Sequence, residues 1–462
     1  MHHATAAQAA DAPTLNLKRT VPWIVYIIFF GVLNETMFNV STPSIAAQFQ
    51  LQPSGVSWII TSFIIFFGIG SVIYGKLSDL YSLKKLITIG IIIYTIGSVL
   101  GFALQSSYLF VILARALQGA GASAIPALIM VVVARYFSPS DRGKVFGMLT
   151  STVSFSVGVG PVIGGFISGH YHWSFLFIVP VFTLISLPFF RSVLPDEEPR
   201  PGRVDVPGAF MLGFGLASLV LFLTYPEWYY LTASAVLLIA FVFHIRRTPE
   251  PFIEPKLLRN RLFRVGLIVG FIVFCIVMGI MFVLPLLLSK IYGLDTTAIG
   301  WIMFPGAISA VVFGTVGGNL ADKKGSSFVV YLGAGLLIAS LLLISCFVGM
   351  SAWLISGSLL LTYIGFSFIQ TALSNSVSLT LKMEETGVGM GLFNLIGFIS
   401  GAVGTAVVGK ILDSELFDFR FHPLVGDPAS QMYANLLLLF AVVVAIGISL
   451  YYRAYGKKSQ TL

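Results

Sequence analysis

Long apolar runs of about 20 residues alternate along the chain with short polar segments rich in Pro, Gly and charge. A membrane-spanning helix needs about 20 mainly apolar residues, whereas membrane β-barrels show shorter alternating segments. The pattern therefore predicts an all-α polytopic membrane protein with about 14 transmembrane helices. The predicted spans are residues 22–46, 55–76, 85–104, 107–135, 142–168, 173–194, 206–224, 228–247, 263–289, 296–320, 327–347, 352–380, 388–412 and 433–455.

Composition and charge agree with this class. The 462 residues are 57% hydrophobic and only 10% charged, against about 25% charged in soluble domains. The net charge of +8 comes from Lys and Arg in short loops, which is the positive-inside signature. The expected partner of this charge is therefore the lipid bilayer and not a nucleic acid.

The distribution of basic residues predicts the orientation. With the N-terminus inside, all but four of the 27 Lys and Arg residues fall on one face. Lys290, Lys410 and Arg420 fall on the other face, and Arg115 lies within a span. This asymmetry predicts a multi-pass protein of a bacterial cytoplasmic membrane with both termini cytoplasmic. Residues 1–20 and 457–462 are predicted to be cytoplasmic tails.

An internal repeat predicts the domain organisation. "GKLSD" at 75–79 matches "GNLAD" at 318–322, and "DRG" at 141–143 matches "ETG" at 385–387 at nearly the same offset. Related halves around a central site are a common transporter architecture. We therefore predict an N-terminal six-helix bundle at 21–195, a C-terminal six-helix bundle at 263–456, and two linker spans with their loops at 196–262.

Two ionisable side chains lie deep in predicted spans. Glu35 is the one deep carboxylate, about 20 Å along the first span, and Arg115 is the one deep cation. Such groups cost about 2.5–3.5 kcal/mol on insertion scales and mark function more often than structure. We interpret Glu35 as a proton carrier tuned by Arg115 through burial and charge. The alternative is a static buried ion pair or a hydrogen-bonded Glu, and sequence does not decide whether the two touch.

The repeated loops carry a candidate gate. Asp79 and Asp322 each end a predicted helix beside lysines, where a carboxylate can form a salt bridge that holds one conformation. Lys84 and Arg142 complete the candidate gate. The alternative interpretation is ordinary solvated loop charge.

The fifth span contains "SVGVGPVIGG" at 156–165. Its spacing does not fit a dinucleotide-binding loop, and no strand precedes it. Pro kinks a helix and Gly permits close packing, which predicts a bendable packing face. The residues that form this face are Gly158, Gly160, Pro161, Gly164 and Gly165.

The remaining candidates are substrate-binding residues. They lie within the spans or at the ends of the spans, and they are Asn34, Asn39, Gln118, Phe155, Asn375 and Asn394.

No nucleophile triad, P-loop or HExxH motif occurs, so we expect no enzyme activity, no metal site and no cofactor. Protons are the expected coupling ion, a divalent metal could enter with the substrate, and the functional unit is expected to be a monomer.

These motifs resemble the major facilitator superfamily over nearly the whole chain, specifically its fourteen-helix drug:proton antiporters. "GKLSDLYSLKK" resembles the loop motif after the second helix, "ARALQGAGAS" the fourth-helix motif with Arg115, "GVGPVIGG" the fifth-helix antiporter motif, and "LNETMFNVSTP" the first-helix motif. The closest likeness is to the Gram-positive tetracycline-efflux class. The resemblance implies proton-driven export of tetracycline, as a metal complex, or of multiple drugs.

The chain departs from that class at four positions. Ser82 and Ser156 stand where the family prefers Gly. Val157 and Gly401 stand where the tetracycline pumps carry membrane glutamates. Fewer carboxylates imply fewer protons per cycle or weaker affinity for a cationic complex.

Other functions stay open at this point. They are export of a native metabolite or metallophore, and flipping of a lipid precursor, against which the single deep cation argues mildly. A sensor or channel is disfavoured by the repeated gate, and a membrane-bound enzyme by the absence of a catalytic constellation.

Overall fold

The computed structural model describes residues 15–199, 202, 204–249, 251–382, 385–414 and 417–456. This part of the chain is helical, and 14 helical segments in it are long and apolar enough to cross a membrane. The predicted fold class is therefore confirmed. The predicted tail residues 1–14 and 457–462 lie outside the described residues.

The first half of the molecule contains six spans. The fourth span is built from two helices that meet at Ser123, and the sixth from two 3₁₀ helices, Trp173–Phe177 and Val179–Ser186, followed by a short α-helix. The α-helices are α1 (Leu17–Val40), α2 (Thr42–Phe49), α3 (Pro53–Leu80), α4 (Leu83–Ala103), α5 (Tyr108–Ala122), α6 (Ala124–Tyr136), α7 (Pro139–His170) and α8 (Leu187–Val193).

Two linker spans and six further spans complete the bundle. The linker helices are α9 (Val206–Thr224) and α10 (Trp228–Arg247). The second half comprises α11 (Arg261–Tyr292), α12 (Thr296–Lys324), α13 (Ser326–Phe347), α14 (Ala352–Ser378), α15 (Thr386–Asp413) and α16 (Pro428–Tyr451). We call the end of the bundle that holds Lys76, Lys84, Arg135 and Lys323 the basic end, and the other the opposite end.

The first span differs from its predicted limits of 22–46. Helix α1 begins at Leu17, because the Asn16 side chain accepts a hydrogen bond from the Arg19 N–H and caps it. It ends at Val40, and α2 follows after Ser41 with a Pro in its first turn. Pro43 supplies no N–H and disfavours helical backbone before it, so the apolar run divides into two helices.

The two halves meet along two helix pairs. Helix α7 packs along α12, and α3 packs along α15, while linker helix α9 contacts both α3 and α15. Helix α7 also packs along α1, so it lies between its own half and the other.

Glycines make these approaches possible. A Cβ at Gly160 or Gly164 would collide with Thr36 or with the Met37 carbonyl on α1. A Cβ at Gly158 or Gly165 would press on the backbone of Ala307 or Thr296 on α12. The predicted packing face of the fifth span therefore contacts both halves. Helix α7 runs continuously past Pro161, and its bending during transport stays a prediction.

The interface between the halves is closed at one end and open at the other. At the opposite end, the Ser54 N–H donates to Asp413 Oδ1 at 3.0 Å, and Thr297 Oγ1 donates to the Gly165 carbonyl at 3.2 Å. Near the basic end, a Cβ added at Gly75, Gly147 or Gly391 would meet nothing within 4 Å. The same helices thus separate towards the basic end.

Close packing at Gly164 is expected to control stability. Gly164→Ala should destabilise the protein by about 1–3 kcal/mol, because its Cβ would push α1 away at the Met37 carbonyl. Gly147→Ala on the same helix is the matched control. It should be neutral or stabilising by up to about 1 kcal/mol, since Ala favours helix and finds free space there. Thermal unfolding midpoints in detergent would test this, and equal shifts for both variants would contradict it.

Candidate functional site

Arg115 is fully buried in the first half and is held by neutral groups. Its Nε–H donates to the Ile59 carbonyl at 2.9 Å, and Nη1 donates to Gln118 Oε1 at 2.9 Å and to Asn34 Oδ1 at 3.2 Å. The guanidinium lies between the rings of Phe38 and Phe63, 4.1 and 4.2 Å from their centroids. Arg prefers such stacked, multiply bonded surroundings.

The network around Arg115 extends away from the interface between the halves. Gln118 Nε2 donates to Ser98 Oγ at 2.8 Å, and Ser98 Oγ donates to the Tyr94 carbonyl at 2.8 Å. Helices α1, α3, α4 and α5 are thus linked through one cation. This network stabilises the first half as a unit.

The Glu35 side chain does not point towards Arg115. Among the described residues it forms neither a hydrogen bond nor an ion pair, so it is not a direct partner of Arg115. Successive helix positions are rotated by about 100°, which places Asn34 towards Arg115 and Glu35 towards a cavity. The two deep charges therefore form no direct ion pair, although Asn34, which bonds to Arg115, is adjacent to Glu35 in α1.

The cavity lies between the halves and has a volume of about 320 Å³, a size that ligand pockets commonly have. Glu35 and Asn39, four residues apart on α1, face it together. Asn39 is buried and its Oδ1 has no hydrogen-bond partner in the described structure. In the described lining, Glu35 is the one charged side chain. The site thus offers a carboxylate and a free amide acceptor side by side.

The second half contributes a wall of aromatic and thioether side chains. Met278 and Met281 from α11, Met303 from α12, and Tyr363 and Phe366 from α14 line the cavity. Thioethers adapt their shape and contact aromatic rings favourably. This wall suits flat apolar ligands of varied outline.

Sequence reasoning did not identify this wall, because a Met or aromatic residue in an apolar span is indistinguishable from core. The available signal was the i, i+3 spacing of Met278 and Met281. Gln370, Thr362 and Thr405 also face the cavity, and their polar side chains alone do not distinguish them from other polar residues in the spans.

The six predicted substrate-binding residues separate into three groups. Asn39 and Asn394 line the cavity, whereas Asn34 and Gln118 bind Arg115. Phe155 lies outside the lining, is 44% exposed, and stacks on Phe29. Asn375 also lies outside it and donates to Ser326 Oγ at 2.8 Å. Helix rotation, which polarity alone does not report, separates these groups.

The predicted gate residues do not contact one another in this conformation. Asp79 pairs with Arg135 at 3.1 Å, and Arg142 Nε donates to the Phe137 carbonyl. Lys84 pairs with Asp196 at 2.9 Å, and this hydrogen bond holds the pKa of the exposed Asp196 carboxyl below its usual value. Asp322 is exposed and forms no ion pair with any described residue. None of these contacts joins the two halves, as expected where the halves have separated.

The opposite end holds an interaction that sequence reasoning missed. Asp413 ends α15 in the second half, and its carboxylate accepts from the Ser54 N–H in the first turn of α3. A carboxylate at a helix N-terminus is favoured by the helix dipole. Close by, Trp58 Nε1 donates to Thr224 Oγ1, and Lys410 Nζ donates to the Thr224 carbonyl. Linker helix α9 therefore bonds to both halves.

Arg115→Lys should destabilise the protein although it keeps the charge. An ammonium group does not reproduce the planar stacking and the spread of three hydrogen bonds. We expect a loss of about 2–3 kcal/mol, the value of one charged hydrogen bond left unmade in a buried site. Thermal unfolding in detergent would measure it. Arg142→Lys, at the basic end, is the control, and a comparable loss there would contradict the assignment.

The chain is similar in sequence to known membrane transporters. The sequence model of the Major Facilitator Superfamily matches residues 24–405. The chain is 26% identical over 411 residues to the riboflavin transporter RibZ of Clostridioides difficile (strain 630), across 85% of this chain and 89% of that protein. It is 25% identical over 413 residues to the multidrug transporter protein MdtP of Bacillus subtilis (strain 168), across 86% and 76%.

Solved structures share the fold. A bacterial homolog to the human lysosomal transporter Spinster, in an inward-facing and unoccupied conformation, aligns with a TM-score of 0.68 at 16% identity. The alignment covers 95% of this chain and 97% of that one. With fourteen spans, a cavity between two halves and a family match over most of its length, the chain belongs to the major facilitator superfamily of membrane transporters.

Proposed function

We propose that this protein exports a flat amphipathic compound in exchange for protons by alternating access. The observation that carries the proposal is the Glu35 carboxylate, which faces a cavity between the halves without a hydrogen-bond partner among the described residues. Such a group can hold either a proton or a cationic substrate, and competition between the two couples their movements. Each proton that enters contributes about 2.3 kcal/mol per 100 mV.

Alternating access requires the closed end to open. In the proposed cycle the basic end faces the cytoplasm, and the present conformation admits substrate from that side. Release then requires the Asp413–Ser54 and Thr297–Gly165 contacts to break, while Asp79 and Asp322 latch the basic end.

Tetracycline is a weaker candidate than other aromatic compounds. Val157 and Gly401, which stand where the resembling tetracycline pumps carry glutamates, both line the cavity. A metal carried with the substrate would therefore meet a single carboxylate. We favour a multidrug profile, as for MdtP-like relatives.

A native metabolite is the second candidate. One relative is a riboflavin transporter, and the cavity combines aromatic side chains with neutral hydrogen-bonding groups such as Gln370 and Asn394. These groups suit a flat heteroaromatic ring system. Lipid-precursor flipping is disfavoured, since no Lys or Arg lies in the described lining to bind a phosphate.

Glu35→Gln should abolish substrate-driven proton movement, because the amide cannot release a proton. Proteoliposomes with a trapped pH dye would report it, with ethidium, riboflavin and tetracycline plus Mg²⁺ as the test compounds. Glu227→Gln, which removes an exposed carboxylate from the opposite end, should leave the signal unchanged. Proton release that persists in Glu35→Gln would overturn the coupling role, and the compound that drives it in the wild type decides the substrate class.

Asp413→Asn should favour opening of the opposite end. Loss of the charge weakens its bond to the α3 N-terminus by about 1 kcal/mol, or about fivefold in the equilibrium. A Thr297→Cys reporter, with Cys275 and Cys346 replaced by Ser, would be labelled faster by a membrane-impermeant maleimide. Asp418→Asn is the control, since exposed Asp418 forms no described bond. Equal labelling in all variants would rule out this contact as a latch.

A further inference from the structure

A second crevice lies at the basic end, apart from the cavity that holds Glu35. It has a volume of about 1210 Å³ and is enclosed by the end of α3, the end of α10, the loop after α10 and the start of α15. Its lining combines four cations, the carboxylates of Asp79 and Glu254, and apolar side chains such as Leu80, Ile245 and Val388. The crevice therefore presents both charged and apolar surface, at the level where the apolar parts of the spanning helices end.

Two arginines in this crevice lack partners. Arg246, in the last turn of α10, and Arg259 are exposed and form no ion pair or side-chain hydrogen bond with any described residue. The other cations are engaged, since Lys76 Nζ donates to the Pro251 carbonyl at 2.5 Å and Lys256 pairs with Glu385 at 3.3 Å. Of the two lining carboxylates, Asp79 pairs with Arg135 and Glu254 forms no ion pair with a described residue. Cations therefore exceed carboxylates in the lining, and its two unpaired guanidinium groups are of the kind that suits phosphate.

The loop that forms the crevice is held in place. Buried Asp205 accepts hydrogen bonds from His244 at 2.7 Å and from the N–H groups of Gly208 and Phe252. Burial disfavours its charge, but these bonds outweigh that effect and hold the pKa of the Asp205 carboxyl below its usual value. The end of α10 and the following loop are therefore fixed to the start of α9.

An exposed apolar stripe on α10 leads to the crevice. Val236, Ile239 and Phe243 are 57–60% exposed and follow the spacing of one helix face. Arg246 comes three residues later on the same face. Helix α10 packs chiefly against α9, so this stripe faces the hydrocarbon of the bilayer. An acyl chain lying on it would end beside Arg246.

We propose that the crevice binds an anionic glycerophospholipid, with its phosphate between Arg246 and Arg259 and an acyl chain along the stripe of α10. A free phosphate would leave the stripe without a role. The bound lipid would contact Lys76 at the end of α3 and Val388 at the start of α15, two helices that pair between the halves. Lipid binding is therefore placed to influence the opening of the basic end, and it does not depend on which substrate is exported.

Native mass spectrometry of the full chain, released from detergent with added phosphatidylglycerol, tests the proposal. Each of Arg246→Gln and Arg259→Gln should weaken phosphatidylglycerol binding about fivefold, and the double variant should combine the two effects. Arg247→Gln is the matched control, because Arg247 lies in the same turn and is exposed but does not line the crevice. Phosphatidylcholine, which has no net charge, should be retained less and equally by all variants.

Three outcomes would overturn the proposal. The first is equal weakening by Arg247→Gln, which would indicate diffuse attraction by the basic surface. The second is displacement of the lipid by an equal concentration of glycerol 3-phosphate, which would indicate a site for soluble phosphate. The third is unchanged binding in the double variant. Matching thermal midpoints of all variants with the wild type would exclude misfolding as the cause of a loss.

Discussion

A charge inside a bilayer has to be satisfied by the protein itself, and this constraint organises the first half of the molecule. Arg115 obtains its hydrogen bonds from α1, α3 and its own helix, and its stacking partners from α1 and α3. No carboxylate among the described residues pairs with it. The helices must keep their positions for the cation to remain solvated by the protein, so the half can move as a unit.

The interface between the halves is built from close backbone contacts and contains no buried cation of this kind among the described residues. Here backbones approach through glycines, as at Gly165 against Thr296 and Gly409 against Ser54. At these two positions backbone packs against backbone without an intervening side chain. Directional bonds, such as that of Asp413 with the α3 N-terminus, join the two halves at the closed end. A rigid half and a smooth interface are the two properties that rocking requires.

The linker spans contact both halves, and they do so at both ends of the interface between them. At the opposite end, Thr224 bonds to Trp58 of the first half and to Lys410 of the second. At the basic end, the loop after α10 contacts α3 through Lys76 and the start of α15 through the Lys256–Glu385 pair. The two additional helices thus touch the interface at both ends, while α10 presents its exposed face to lipid.

The sequence by itself determined the spanning helices, the family and the two deep charges. Apolar length and the scarcity of charge are local properties, and they do not depend on how helices pack. The tertiary structure decided what surrounds each of those charges. Adjacent residues Asn34 and Glu35 face different surroundings because a helix turns by about 100° per residue. Contacts across the chain, such as Asp413 with Ser54, join positions 359 residues apart. The aromatic and Met wall of the cavity, the closed end and the crevice at the basic end all arise from packing between distant helices, which no local pattern reports.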